Sequence, residues 1–188
     1  TGAATGVGAA SARWFASQGY DVAINYRVSA AEANATLTAC LAAGGDAIVV
    51  AGDVAEDAAC RSIADAAFRR WGRIDALVNC AGATLFRSMS DLEALSGEDF
   101  ARIYAVNVVG PYQMARAVAP YMAERGGAIV NVSSIAGANG TGSSYAYAAS
   151  KGALNTLTLA LARNLAPRIR VNAVLPGLIE SRWVRQGI

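Results

Sequence analysis

The sequence predicts an open α/β sheet, in which parallel strands are covered by helices on both faces. Short apolar segments typical of strands alternate along the chain with longer segments of helical periodicity. The strand segments are continuous apolar runs, which indicates burial on both faces. Small and polar residues follow each of them, and ligands bind at the carboxyl ends of the strands in such sheets. This pattern predicts a ligand-binding edge.

Length and composition indicate one globular domain. The chain has 188 residues, 54% of them apolar and 16% charged, with no linker or internal repeat, so we assign residues 1–188 to a single domain. The net charge of +2 is too small to indicate a nucleic acid or an anionic membrane as partner. No apolar run reaches the roughly 18 residues of a membrane span, and no signal peptide is visible.

The cysteines and the absence of histidine limit the possible chemistry. Cys40, Cys60 and Cys80 are odd in number, far apart and without C-x-x-C spacing, which is typical of buried thiols in a reducing compartment. We therefore expect a cytoplasmic protein. The chain contains no histidine, which removes histidine-based catalysis and most zinc sites, so no metal is predicted.

The chain opens with a glycine-rich turn, TGAATGVG at residues 1–8, that leads into an apolar helix ending at Gly19. Gly2, Gly6 and Gly8 would allow a bulky ligand to approach the backbone. The helix N-terminus behind them offers unpaired N–H groups and a positive dipole end, which suits a pyrophosphate. The spacing G-x-x-x-G-x-G departs from the common G-x-G-x-x-G, and a plain flexible turn would also explain it.

The remaining strands and helices are predicted from apolar runs, helix-capping residues and residues that interrupt helices. The apolar runs predict strands at 21–26, 46–51, 73–80, 128–133 and 168–174. Helical periodicity predicts helices at 29–43, 55–71, 96–125 and 145–165. Ser29 with Glu32 suggests a capping box, Ser96 with Asp99 a second helix start, and Gly110-Pro111 a bend. We expect loops at 81–95 and 135–144.

Tyr147 and Lys151 are the strongest candidates for chemistry. In a helix they lie at i and i+4, on one face and about one turn apart. A tyrosine has a pKa of about 10, and a cation within roughly 4–6 Å can lower it by about 1–3 units. The pair is therefore a candidate general acid/base. The same spacing also occurs by chance on helix surfaces.

These features together resemble the short-chain dehydrogenase/reductase family over essentially the whole chain. The resemblance is carried by the glycine turn at 1–8, Asn79-Cys80-Ala81-Gly82, Asn107, Asn131-Val132-Ser133-Ser134, Tyr147 with Lys151, and Pro176-Gly177. The sequence looks most like the branch of 3-oxoacyl-carrier-protein reductases and sugar dehydrogenases. The resemblance implies a Rossmann-type doubly wound sheet and hydride transfer between NAD(P)(H) and an alcohol or ketone.

The resemblance also implies roles for the catalytic residues. Tyr147 would exchange a proton with the substrate oxygen, and Lys151 would lower the pKa of Tyr147 and hydrogen-bond the nicotinamide ribose. Ser134 would orient the carbonyl, with the adjacent Ser133 as the alternative that would more readily face the sheet interior. Asn107 would hold a water that links Lys151 to solvent, or would instead be a buried amide that satisfies backbone groups in a bent helix.

The implied cofactor site runs along the strand ends. By resemblance, Tyr147 and Lys151 would bind the cofactor together with residues of four other segments. The pyrophosphate would contact Gly2, Gly6, Val7 and Gly8, and the adenine would contact Asp53 and Val54. The ribose and nicotinamide approach would be lined by Asn79, Ala81 and Gly82, and the nicotinamide amide by Pro176, Gly177, Ile179 and Ser181. Asp53 could alternatively cap a helix.

The end of the first strand bears on the choice between NAD and NADP. An acidic residue there would hydrogen-bond the ribose 2′-OH and repel a 2′-phosphate. This chain has Asn25-Tyr26-Arg27 instead, so NADP(H) is expected over NAD(H). The alternative is that Arg27 is a solvent-exposed turn residue.

The chain departs from the family pattern at both ends. The family has a central strand before the glycine turn and a substrate lid, a helix and a last strand after Pro-Gly, whereas this sequence runs from Thr1 to Ile188. A sheet without its central strand would leave a gap and unpaired backbone groups. We therefore expect a partial chain that folds poorly and does not turn over when expressed alone.

Other functions remain open at the level of sequence. The same fold could serve as a catalytically silent nucleotide-binding module or sensor, or support dehydration or epimerisation. The expected partner is a small carbonyl or alcohol compound, and a homodimer or homotetramer is expected from the long helices. Candidate residues of the substrate pocket are Thr84, Leu85, Phe86, Asn139, Gly140, Thr141, Ser143 and the tail from Leu178.

Overall fold

The computed structural model describes residues 1–180, which form five strands and seven helices. The strands are β1 (Val22–Tyr26), β2 (Ala47–Ala51), β3 (Ala76–Asn79), β4 (Gly127–Val132) and β5 (Ile169–Val174). The helices are α1 (Gly6–Ser17), α2 (Ala30–Ala42), α3 (Asp57–Trp71), α4 (Gly97–Tyr104), α5 (Gly110–Met122), α6 (Ala136–Asn139) and α7 (Tyr145–Leu165). The predicted alternation of strands and helices is confirmed.

All strand pairs in residues 1–180 are parallel, as predicted, but they form two separate sheets. β1 pairs with β2, while β3, β4 and β5 form a sheet with β4 in the centre. The carboxyl ends are aligned, since Tyr26 is opposite Ala51 in the first sheet and Val132 is opposite Val174 in the second. Residues after the strands therefore share one edge of each sheet.

A slot separates β1 from β3, where the sequence predicts a gap in the sheet. It is a cavity of about 470 Å³ whose walls include residues of both strands. Residues 1–3 cross one end of this slot. The Thr1 amine donates a hydrogen bond to the Val78 carbonyl at 2.6 Å, and the Ala3 N–H donates to the Asn25 carbonyl at 2.9 Å. The glycine turn is thus attached to both sheets.

The two sheets have cores of different composition. The core around β3, β4 and β5 contains large apolar side chains, such as Leu77, Met114 and Ile129. The core between β1 and helices α1 and α2 consists mainly of alanines around Ile24. Small side chains let the helices lie close to the backbone, but each removes less apolar area from water.

The helix predicted at 96–125 is divided in two by a π-helical turn, Ala105–Val109. The interruption precedes the bend that was expected at Gly110-Pro111. An α-helix would pair the Asn107 carbonyl with the N–H of residue 111, and a proline has none. Pro111 itself fits the first turn of α5, where an N–H is not needed.

Two further expectations are wrong in detail. The segment 135–144 is not all loop, because it contains the short helix α6. α6 packs tightly on α7: a Cβ on Gly137 would lie 2.4 Å from the backbone carbon of Lys151. Ser29 does precede α2, but its side chain makes no capping hydrogen bond, whereas Ser96 and Asp99 form a complete capping box at α4.

Candidate active site

The predicted catalytic residues meet at the carboxyl edge of the three-stranded sheet. Ser134 follows β4, while Tyr147 and Lys151 lie in the first two turns of α7. α7 begins where the sequence predicts because Ser144 is its N-cap, and the buried Ser144 hydroxyl accepts a hydrogen bond from the Tyr147 N–H at 3.3 Å. The helix start therefore fixes the backbone of the tyrosine.

The Tyr147 hydroxyl is hydrogen-bonded to Ser134. Ser134 Oγ also accepts from the Ala136 N–H at 3.1 Å, which leaves the serine proton available for the phenol oxygen. Burial raises the pKa of Tyr147 above its usual value, and the hydrogen bond from Ser134 opposes this rise only in part. Tyr147 is therefore protonated at neutral pH.

Lys151 is buried and does not act on Tyr147 as the sequence predicts. Its Nζ donates to the Val132 carbonyl at 2.8 Å and lies 5.7 Å from the centre of the Tyr147 ring. Burial lowers the pKa of Lys151 to about 8, with nearby Cys80 acting in the opposite direction. The expected lowering of the Tyr147 pKa is absent, because burial of the phenol raises this pKa and the group that opposes the rise is the Ser134 hydroxyl rather than Lys151.

Asn107 lies in the π-helical turn and is fully buried. Its Oδ1 accepts from the Ala83 N–H at 2.7 Å, and its Nδ2 donates to the Ala83 carbonyl and to Ser150 Oγ, both at 2.9 Å. The amide thus satisfies backbone groups beside a bent helix, as the alternative interpretation expects. Its role in holding a water stays a prediction.

The two candidate serines have different surroundings. Ser133 faces the interior, where its hydroxyl donates to the Lys151 carbonyl at 3.2 Å. Ser134 is only half-buried and contacts Tyr147. The geometry therefore favours Ser134 as the residue beside a substrate oxygen.

The three glycines of the opening turn have distinct surroundings. A Cβ on Gly2 would lie 2.7 Å from the Ala81 backbone, and one on Gly8 would lie 2.3 Å from the Gly2 carbonyl oxygen. Gly6, the first residue of α1, has a φ of +56° and open space around its Cβ position. Val7 follows it in the first turn. This cradle fits a pyrophosphate: Gly2 and Gly8 allow tight packing, and Gly6 leaves the helix N-terminus open.

The predicted adenine side lies at the ends of β1 and β2. Arg27 forms an exposed ion pair with Asp53 at 3.4 Å. Asp53 also accepts from the Ala55 N–H at 3.0 Å, but it does not cap α3, which begins at Asp57. The Val54 side chain is buried and packs beside Gly110, so it lies in the core rather than at the edge.

The segment after β3 is held from both sides. Asn79 is buried and donates to Asn131 Oδ1 at 2.9 Å, while its own Oδ1 makes no hydrogen bond. Thr1 Oγ1 accepts from the N–H groups of Cys80 and Ala81, each at 3.2 Å. Gly82 is exposed at the edge. Asn79 thus points into the protein, and Gly82 is the accessible member of the predicted set.

The segment after β5 approaches the segment after β4. The Pro176 carbonyl accepts from the Ile135 N–H at 3.1 Å, and a Cβ on Gly177 would lie 3.7 Å from the Ile135 side chain. Ile179 is exposed, and Ser181 lies outside the described residues. An apolar surface therefore borders Ser134 on this side.

Among the predicted pocket residues, Thr84 and Ser143 are in direct contact. Their hydroxyls are 2.5 Å apart, and the Arg87 N–H donates to the Ser143 carbonyl at 2.8 Å. The loop after β3 is thereby tied to the segment that precedes α7. Asn139 Oδ1 accepts from Thr141 close by.

Sequence reasoning missed the roles of Ser144 and Ser150. Ser150 is fully buried and donates to the Tyr147 carbonyl at 2.7 Å. Both residues were visible in the sequence, Ser144 as a capping type next to a helix start and Ser150 as a small polar residue within the helix. Their partners depend on tertiary contacts.

Within residues 1–180, no group of three or more acidic, cysteine or histidine side chains is placed to hold a metal ion. In the same part of the chain, no helix is both long and apolar enough to cross a membrane.

Comparisons with known proteins agree with this geometry. A family model described as short chain dehydrogenase matches residues 1–186. A protein that carries the name ketoacyl reductase 2 of the granaticin polyketide synthase, from Streptomyces violaceoruber, is 41% identical over 98% of this chain and 73% of its own length. The 3-oxoacyl-acyl-carrier-protein reductase of Staphylococcus aureus is 34% identical over 96% of this chain and 73% of its own.

The same fold occurs in a crystal structure described as a short-chain dehydrogenase/reductase from Burkholderia xenovorans. It is 48% identical with a TM-score of 0.94, covering 98% of this chain and 77% of that one. Together with the parallel sheets, the glycine turn and the Ser134–Tyr147–Lys151 group, these matches establish that the chain belongs to the short-chain dehydrogenase family of oxidoreductases.

Proposed function

We propose that this protein transfers a hydride between a nicotinamide dinucleotide and an alcohol or ketone, with Tyr147 as general acid/base. The observation that carries the proposal is the hydrogen bond between Tyr147 and Ser134 at the carboxyl edge of the sheet, with Lys151 beneath the tyrosine ring. Two hydroxyl donors thus converge beside the place where a ligand binds in such folds.

The bound cofactor supplies the hydride chemistry, and the protein supplies position and protons. When a ketone accepts a hydride, negative charge develops on its oxygen. Donors placed at that oxygen stabilise the transition state. With a substrate bound, Ser134 would turn its one proton from the phenol oxygen to the substrate oxygen, and Tyr147 would transfer its own proton to the forming alkoxide.

The electrostatics suit this proton transfer. The raised pKa of Tyr147 keeps the phenol protonated, as a reduction requires. The pKa of Lys151, at about 8, is close to neutral pH, so this residue can exchange a proton at little cost. Lys151 is therefore suited to return the proton that Tyr147 gives up.

The proposed cofactor is NADP(H) rather than NAD(H). The glycine turn would hold the pyrophosphate at the N-terminus of α1. Arg27 lies at the end of β1 with its side chain two-thirds exposed, and its partner Asp53 is a half-buried residue that follows the end of β2. Arg27 could therefore turn to a 2′-phosphate by exchanging one surface ion pair for another.

The substrate class and the cellular setting are proposed on broader grounds. Exposed apolar side chains of Ile135 and Ile179 border the site and suit a small carbonyl or alcohol compound with an apolar part. We propose a cytoplasmic location from the isolated cysteines. Exposed Tyr112 and Leu159 on α5 and α7 offer surfaces for a homodimer or homotetramer.

The test is consumption of NADPH over a panel of ketones by the full-length protein and by Tyr147→Phe. Loss of a general acid costs about 10²–10⁴ in rate, so Tyr147→Phe should lose activity to this extent while still binding NADPH. Tyr145→Phe is the matched control, because Tyr145 lies on the same helix and hydrogen-bonds the Met89 carbonyl instead.

Equal rates for Tyr147→Phe and the parent would refute the proton-transfer role. A parent protein that binds NADPH but consumes none over the panel would indicate a silent nucleotide-binding module. A reaction that returns the cofactor to its starting state would indicate epimerisation or dehydration.

A further inference from the structure

Ser150 occupies a position that the proposed chemistry leaves unexplained. It lies on α7 between Tyr147 and Lys151 and is fully buried. Its hydroxyl donates to the Tyr147 carbonyl at 2.7 Å and accepts from Asn107 Nδ2 at 2.9 Å. A buried serine in the middle of a helix usually gains little from bonding its own helix, so the bond from Asn107 is the informative one.

The bond to Asn107 extends to the loop after β3. The same amide donates to the Ala83 carbonyl at 2.9 Å and accepts from the Ala83 N–H at 2.7 Å. A continuous line of hydrogen bonds thus runs from Ala83 through Asn107 and Ser150 to the peptide carbonyl of Tyr147. Buried bonds of this kind hold their members in a single arrangement.

The two ends of this line belong to different parts of the site. Ala83 follows Gly82 at the edge where the cofactor is proposed to bind, and Tyr147 is the proposed proton donor. We propose that Ser150 is a positioning residue, whose buried hydroxyl fastens the loop after β3, through Asn107, to the backbone of Tyr147. This inference rests on the function proposed above, because it assigns Ser150 to the geometry of that reaction.

The structure provides an internal comparison for Ser150. Thr158, about two turns further along α7, is also buried and donates to a carbonyl of its own helix, that of Leu154, at 2.8 Å. It also accepts from an asparagine amide, Asn131 Nδ2, at 2.9 Å. The local hydrogen bonding of the two hydroxyls is therefore alike. The two lines of hydrogen bonds differ at their ends, because that of Thr158 runs from Asn79 through Asn131 to the Leu154 carbonyl and does not reach Tyr147.

The experiment compares Ser150→Ala with Thr158→Val in the full-length protein. Each variant removes one buried hydroxyl of α7 that accepts an asparagine N–H, so both should lower the melting temperature to a similar degree. Turnover is measured per site that binds NADPH, by titration of cofactor fluorescence, so that unfolded molecules do not count.

We expect kcat to fall about tenfold for Ser150→Ala, because misplacement of a proton donor by a fraction of an ångström slows the reaction. KM for the ketone should stay within twofold.

We expect Thr158→Val to keep kcat within twofold of the parent. Ser150→Thr, which retains the hydroxyl, should recover most of the turnover. A Ser150→Ala variant with parental kcat per site would overturn the proposal, as would a Thr158→Val variant that loses as much.

If Ser150→Ala does not fold, Ser150→Cys takes its place, because a thiol has a similar volume and weakens both hydrogen bonds. The expected result is again a fall of about tenfold in kcat, and parental kcat per site would again overturn the proposal. Tyr147→Phe is assayed in parallel. Parental activity in Tyr147→Phe would refute the proposed function itself, whereas loss of activity in that variant with parental kcat in Ser150→Ala would refute only the role of Ser150.

Discussion

The two halves of the molecule hold their parts of the site by different means. In the glycine half (β1, β2, α1, α2 and residues 1–8), the predicted pyrophosphate site consists of backbone groups. Its buried asparagine, Asn25, accepts from the Gly2 N–H at 3.3 Å and donates to the Gly52 carbonyl at 3.0 Å, both backbone groups. In the tyrosine half (β3, β4, β5, α7 and the π-helical turn), the site consists of side chains, and the buried Asn107 and Asn131 each donate a hydrogen bond to a side-chain hydroxyl.

This difference determines what each half tolerates. A backbone site works only if segments approach closely, so the glycine half is sensitive to atoms that are added. A side-chain site depends on buried hydrogen bonds and charges, so the tyrosine half is sensitive to groups that are removed or change protonation. Substitutions that add atoms should therefore destabilise the glycine half through steric overlap. Substitutions that remove a hydrogen bond or a charge should instead affect the tyrosine half.

The largest effect is expected for Gly8→Ala in the glycine half. The added Cβ would lie 2.3 Å from the Gly2 carbonyl oxygen and 2.9 Å from its carbon, and backbone atoms cannot move aside cheaply. We expect a loss of roughly 3 kcal/mol in the free energy of unfolding, at the upper end of the usual cost of overpacking. Urea unfolding measures it.

Gly97→Ala serves as the control for Gly8→Ala. Gly97 also lies in the first turn of a helix, but nothing is within 4 Å of its Cβ position. This substitution should leave stability unchanged or raise it by up to about 1 kcal/mol, because alanine restricts the unfolded chain. Equal urea midpoints for Gly8→Ala and the parent would contradict the close packing of the turn.

Strand order and spacing made much of the fold predictable. β1 and β5 lie within one residue of their predicted ends, because apolar runs between breakers mark buried strands well. β3 is shorter than the predicted 73–80, since Arg73 and Asp75 form an ion pair with each other before the strand begins. The π-helical turn could not be located, because the sequence marks the interruption only by a proline that follows it.

The site was predictable in membership but not in electrostatics. Helical spacing placed Tyr147 beside Lys151, and the parallel order of the strands brought Ser134 to the same edge. The protonation states depend on how deeply each group is buried, and no sequence pattern reports this. The partners of Asn107 depend on the π-helical turn, so its contacts with Ala83 and Ser150 emerged only from the three-dimensional arrangement.

In the tyrosine half, the pKa of Lys151 predicts a dependence of stability on pH. This pKa falls from 10.5 to about 8 in the folded protein. Between these values the folded chain carries a neutral lysine while the unfolded chain still binds a proton. Unfolding then takes up a proton, so the contribution of Lys151 to stability rises with pH across this window and is least favourable below pH 8.

Lys151→Met isolates this effect, because methionine keeps an apolar side chain of similar length without the charge. The difference in unfolding free energy between the parent and Lys151→Met should rise in favour of the parent by about 1 kcal/mol per pH unit above pH 8. Urea unfolding at pH 7.5, 8.5 and 9.5 measures it. A difference that does not change with pH would show that Lys151 keeps its ordinary pKa.

The smallest effect on stability is expected at the rim of the glycine half, for Arg27→Ala. The ion pair with Asp53 is exposed, so its loss should change the free energy of unfolding by less than about 0.5 kcal/mol.

If Arg27 binds the 2′-phosphate, the Kd of Arg27→Ala for NADPH should rise about tenfold while that for NADH stays the same, because a charge-assisted bond to phosphate contributes roughly this much. Arg61→Ala is the matched control, since Arg61 forms an exposed ion pair with Asp57 within α3. Fluorescence titration with both cofactors distinguishes a phosphate-binding role of Arg27 from that of a plain surface residue. An unchanged Kd for NADPH in Arg27→Ala would show that Arg27 is a surface residue. The glycine half would then contact the cofactor through backbone groups only.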